Sequence, residues 1–142
     1  MLEGERLATW TRFLKAHSAI TRRLERDLAG GHRLTLSDYD VLLQLSHAPG
    51  HRLRPVELAR AVLLTRSGIS RLVQGLERAG LVERIDCPGD ARGFLVGLTP
   101  AGLALVRRAR ATHLEGVAEL FADRYSDEEL QSLSRLLERL PS

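Results

Sequence analysis

PVELARAVLLTRSGISRLVQGLERAGLVERIDCPGDARGFLVGL, residues 55–98, places two short helical patterns and a hairpin pattern in immediate succession. Pro55 stands at the first-turn position that proline favours, and Glu57, Leu58, Ala59 and Val62 continue that helix. A few residues later Thr65 can cap a second helix through its side-chain oxygen. There Ile69, Leu72, Val73 and Leu76 recur at helical spacing as one apolar stripe, while Arg66, Ser70, Arg71 and Gln74 face the other way. Ala79 and Gly80 close the helix. Leu81–Ile85 and Phe94–Leu98 are rich in branched and aromatic residues and predict two short strands, joined by the turn-rich CPGDARG of residues 87–93. Two short helices across a tight turn, with a hairpin directly after the second, form the pattern of a winged helix-turn-helix.

Working outward, Leu7, Trp10, Leu14, His17, Thr21, Leu24 and Leu28 follow a three-four spacing that predicts one long amphipathic helix, widened by Phe13 and Ile20. Gly30 and Gly31 are expected to end it, as glycine does past helix C-termini. Ser37, with Asp40 three residues on, reads as the cap of a second helix through Val41, Leu42 and Leu45 that Ala48, Pro49 and Gly50 break. His51–Leu53 leaves room for a short extended segment before Pro55. Beyond the hairpin, Thr99 and Pro100 open a long helix towards Phe121, and Ser126 with Glu129 has capping-box spacing for a last one carrying Leu130, Leu133, Leu136, Leu137 and Leu140. The fold class expected is mainly α with a small β wing. Residues 1–34 and 100–142 would form dimerisation helices around a DNA-binding lobe at 35–99. The terminal helices carry apolar faces that a winged module does not need for its own core, and a second copy of the chain covers them most economically.

The 142 residues suffice for one domain, and no apolar run approaches the roughly 18 residues a membrane span needs. The start, MLEGERLATW, lacks the apolar region of a secretory signal, so a cytoplasmic protein is expected. A single cysteine, Cys87, excludes an intramolecular disulfide and a cysteine-rich zinc cluster. It reads as an incidental thiol at the wing base. His17, His32, His47, His51 and His113 show no tight spacing with carboxylates, so no metal and no cofactor are expected.

Net charge is +3, and its location matters more than its size. Between His51 and Leu95 eight arginines face five acids; the rest of the chain has thirteen basic and thirteen acidic residues. The whole excess therefore lies in the central segment, where a polyanion would bind.

The stretch from Arg54 to Gly102 resembles the MarR family. ISRLVQGLERAGLVER, then Asp90 and Arg92 in the wing, then LTPAG carry the likeness. The resemblance implies a two-fold dimer that binds a near-palindromic duplex site, with half-sites about one helical turn, roughly 10 base pairs, apart. Such regulators usually repress, and many release DNA when a small aromatic or anionic molecule binds between the dimer helices and the DNA-binding lobe.

On this basis Thr65, Arg66, Ser67, Ser70, Arg71 and Gln74 are the candidate base and phosphate contacts, Arg71 foremost. A solvated polar face is the bland alternative, and the wing that follows favours DNA. Arg92 matches the family arginine that enters the minor groove, with Asp90 bracing the wing; a surface ion pair, worth up to about 1 kcal/mol, is the alternative. Trp10, Asp40, Arg71 and Arg84 resemble the effector set of urate-responsive members. Local explanations take precedence there: packing for Trp10, the capping box for Asp40, DNA for Arg71 and a strand-end ion pair for Arg84.

No nucleophile with a base, phosphate loop or acid pair argues for an enzyme. The rival readings are a helical protein-interaction module without specific DNA binding, and a constitutive regulator without an effector. Steep loss of duplex affinity with salt separates the first from a DNA-binding protein.

Overall fold

In a computed structural model that describes residues 1–63, 68–87, 89 and 93–142, the elements run α1 (Glu5–His32), α2 (Leu36–His47), β1 (Arg52–Leu53), α3 (Pro55–Ala61), α4 (Ile69–Arg78), β2 (Val82–Asp86), β3 (Phe94–Leu98), α5 (Pro100–Leu120) and α6 (Asp127–Leu137). The hairpin pairs β2 with β3 antiparallel, Val82 opposite Leu98 and Asp86 opposite Phe94. The short segment before Pro55 joins it: Arg52 pairs with Gly97 and Leu53 with Val96, so the sheet has three strands in the order β1-β3-β2.

Helix α2 is the hub, because Leu36, Tyr39, Val41, Leu42 and Leu45 leave it apolar on most sides. Around it are buried Leu58 of α3, Ile69 and Leu76 of α4, Val82, Val96 and Leu98 of the sheet, and Val106 and Ala109 of α5. Each fully buried leucine or valine contributes on the order of 1.5–3 kcal/mol of transfer free energy. The lobe thus holds α4 by its apolar back.

The first half of α1 has no such cover. Leu24 and Leu28 are buried, whereas Leu7, Trp10, Phe13 and Leu14 remain exposed, Trp10 at 51%. In its second half α1 lies against α5, so close at Gly116 that an added Cβ would stand 2.7 Å from a methyl of Leu24. Arg23 of α1 bridges the two helices, 3.1 Å from Asp27 and 3.3 Å from Glu119. Helix α6 starts on the expected capping box, Ser126 accepting from the Glu129 N–H, but buries no residue against its own chain. Thr99 likewise accepts from the Gly102 N–H and caps α5.

Several boundaries depart from the sequence reading: β2 begins at Val82 rather than Leu81, α4 begins at Ile69 behind Gly68, and α6 ends at Leu137, short of Leu140, while two further departures, in α1 and α2, are decided by packing. Helix α1 does not stop at Gly30 and Gly31; it runs through both to His32, and Arg33 takes the left-handed position at φ 55°. Burial sets this reversal. Leu34 is buried with Leu28, its N–H donating to the Leu28 carbonyl at 3.4 Å, so the chain must turn immediately before it. A non-glycine residue there is strained by roughly 1–2 kcal/mol. Arg33→Gly is therefore expected to raise stability, by about 0.5–1 kcal/mol after glycine's own entropy cost, in urea titration. An unchanged or lower midpoint would refute that strain. Helix α2, in turn, is capped by Thr35 and Asp38 rather than Ser37 and Asp40. Thr35 accepts from the Asp38 N–H at 2.9 Å and its own N–H donates to Asp38 at 3.1 Å. The two pairs have identical spacing, and the need to bury Leu36 and Tyr39 selects the earlier one. Asp40 points inward instead.

Candidate nucleic-acid interface

Which face of α4 turns inward is decided by Ile69 and Leu76, which are buried, and by Leu72 and Val73, which are half-buried. That leaves Ser70, Arg71 and Gln74 exposed on the opposite face. A hydroxyl, a guanidinium and an amide at this spacing supply the donors and acceptors that base edges and phosphates engage. Gly68, at φ 78°, leads into the helix. Thr65, Arg66 and Ser67, expected at the entry to this helix, and Asp90 and Arg92, expected in the wing, lie outside the described residues.

The rest of the wing shows how its base is held. The Arg84 guanidinium carbon stacks 3.8 Å from the centroid of the Phe94 ring, and its Nε lies 3.9 Å from an Asp86 oxygen. Both charged groups are exposed, so the ion pair contributes little, while stacking keeps the two strands aligned. Cys87 is half-buried where its N–H meets the Gly93 carbonyl at 3.3 Å. One contribution escaped the sequence reading: strand β1 makes the exposed Arg52 part of the wing's edge. The arginine excess of the segment was the available signal, but a two-residue strand gives no periodicity by which to place it.

A cleft of about 550 Å³ opens between α1 and the lobe, walled by His17, Thr21, Arg22 and Glu25 of α1, by Leu36 and Ser37 of α2, and by Leu63. Glu25 accepts from the Leu36 N–H and so occupies the N-terminus of α2. Trp10, Asp40 and Arg84 are not among these walls. Trp10 lies 5.9 Å from the Phe13 ring on the open part of α1, Arg84 is on the wing, and Asp40 is buried in the lobe. Among the described residues no three His, Cys, Asp or Glu side chains form a metal-holding group, and no helix is long and apolar enough to cross a membrane.

Where α5 meets α2, the His113 ring of α5 packs on Tyr39 of α2, centroids 4.6 Å apart. Its Nδ1 is buried without a partner among the described residues, and burial lowers its pKa. Burial also raises that of Tyr39, with Arg110 opposing. On α1, His32 meets the neighbouring Thr112 hydroxyl at 2.7 Å. Below the ordinary histidine value near 6.5 the unfolded chain takes up a proton that folded His113 still refuses, so stability falls with pH until the lowered folded value is passed. Thermal melts of His113→Phe should show less acid loss than wild type below about pH 6.5. Parallel curves would refute the assignment.

The model of the MarR family matches residues 33–93. The transcriptional repressor YetL of Bacillus subtilis is 33% identical over 114 residues, which cover 78% of this chain and 68% of YetL. AbsC, a MarR family transcriptional regulator of Streptomyces coelicolor, superposes with a TM-score of 0.88 at 33% identity, covering 96% of this chain and 92% of AbsC. Sco3205, another MarR family regulator of that organism, solved in complex with DNA, superposes at 0.91 and 33% identity over 97% of this chain and 86% of its own.

Proposed function

The chain belongs to the MarR family of DNA-binding transcriptional regulators, and from that premise we propose that it is a homodimeric repressor of a near-palindromic site, relieved by a small aromatic or anionic effector. The observation that carries the reading is the two-sided α4: Ile69 and Leu76 lock one face into the lobe while Ser70, Arg71 and Gln74 are presented outward beside a wing. In this proposal α4 enters the major groove, helped by Thr65, Arg66 and Ser67, and Arg92 at the hairpin tip reaches the minor groove with Asp90 bracing it. Residues 1–34 and 100–142 join the two copies and residues 35–99 read the DNA, in the compartment that holds the chromosome.

The cleft beside α2 suits the effector. Arg22 and His17 offer cationic or donor groups, while Leu36 and Leu63 give apolar walls, which together fit a planar anion. Selection of bound duplexes from a random pool at two salt concentrations tests the central reading. An inverted repeat with salt-sensitive affinity is expected. No enrichment would overturn it.

Within that site, Arg71→Ala is expected to cost about 1–3 kcal/mol, roughly 5- to 150-fold, and to relax preference at one base pair per half-site. Arg92→Ala should weaken binding at fixed salt without dissociating the dimer. Fluorescence anisotropy titrations against the selected duplex check both.

A further inference from the structure

Asp40 is 3% exposed and is the buried charged side chain of the lobe among the described residues. Its Oδ2 accepts a hydrogen bond from the Leu63 N–H at 2.8 Å, and its Oδ1 lies 3.5 Å from the Gln44 side-chain nitrogen. Helix α3 ends at Ala61 and is capped by Val62, so Leu63 begins the connection towards α4. Val62 is buried, but the Leu63 side chain is 83% exposed and gives its own backbone no anchor in the core. The carboxylate holds that point of the chain by its N–H, across 23 residues of sequence.

A buried carboxylate is costly to desolvate, and partners such as the Leu63 N–H and Gln44 offset that cost without making an acid more stable there than an apolar residue of similar volume. Fold stability therefore does not account for an acid here, whereas a fixed path out of α3 does. We propose that Asp40 is a positioning residue: its bond to Leu63 sets the start of the α3–α4 connection and thereby the angle at which α4 presents Ser70, Arg71 and Gln74. The inference rests on α4 being the DNA-reading helix. It also gives the cleft a route to that helix, because Leu63 is at once a wall of the cleft and the residue Asp40 holds.

A rigid pose matters for base edges and little for phosphates, so the signature is a change in specificity rather than in overall attraction. Asp40→Leu and Asp40→Asn are compared with wild type on the selected duplex and on a scrambled duplex of equal length, alongside thermal melts and the amide exchange of Leu63 in the free protein. Expected are a loss of at least 10-fold in affinity for the selected duplex in Asp40→Leu, unchanged affinity for the scrambled one, and faster Leu63 exchange. Asp40→Asn should recover part of both, since its amide oxygen can still accept from the Leu63 N–H. An unchanged ratio between the two duplexes overturns the proposal. So does a parallel loss on both duplexes that tracks a lower melting temperature, because that is a purely structural role. If wild type itself prefers no duplex, the DNA-reading assignment fails first; unchanged Leu63 exchange in Asp40→Leu would overturn the tether independently.

Discussion

Leu136→Glu combined with Leu140→Glu leaves the chain folded but monomeric and lowers affinity for its selected duplex about 100-fold or more. Both leucines are about half exposed, Leu136 on α6 and Leu140 just beyond its end, and no residue of α6 is fully buried in its own chain, so two carboxylates there leave the core of the protomer intact. They would be intolerable inside an apolar contact between copies, where an unpaired buried charge costs several kcal/mol. The uncovered leucines of α6 and the open Leu7, Trp10, Phe13 and Leu14 of α1 are the faces for which a second copy is proposed. Two linked lobes gain roughly 10²–10⁴ in affinity over one through effective concentration, and that factor is what the double variant forfeits. Sedimentation velocity with circular dichroism and a duplex titration reads all three quantities. A variant that remains dimeric would place the interface elsewhere.

The second large effect concerns Gly102, the third residue of α5. The Leu81 carbonyl accepts from the Thr99 N–H at 3.1 Å and is thereby drawn against the first turn of the helix. A Cβ on Gly102 would overlap that carbonyl oxygen and stand 2.8 Å from a methyl of Leu98. Backbone lies on both sides of the collision, so no rotamer change relieves it. Gly102→Ala should lose about 3 kcal/mol, at the upper end for overpacking, and roughly 10 °C in melting temperature. A melt within about 2 °C of wild type would show that the junction gives way. The glycine of LTPAG thus has a steric reason: it lets the helix leave the sheet at once.

What could be read from sequence was what repeats or caps locally. The stripe of Ile69, Leu72, Val73 and Leu76 and the caps at Thr99 and Ser126 each rest on a few neighbouring residues, and each element is found where its pattern lies. The misreadings arose where a distant partner decides. Gly30 and Gly31 look like a stop, but the turn follows the burial of Leu34. Ser37 and Asp40 look like a cap because Thr35 and Asp38 have the same spacing, and the choice between them depends on which residues α2 must bury. The bond from Asp40 to Leu63 and the pairing of β1 with β3 leave no periodic trace at all.

Helix α5 begins one residue after β3 and extends for 21 residues, about 31 Å at 1.5 Å per residue. In the proposed dimer it works as a calliper arm, comparable in length with the roughly 34 Å between successive major grooves on one face of a duplex. With Thr99 as the whole joint, the gap between the two reading heads is a property of a helix rather than of a loop. Operators of different spacing would then call for a longer or shorter arm, and change at the tips alone could alter which bases are read but not how far apart they stand.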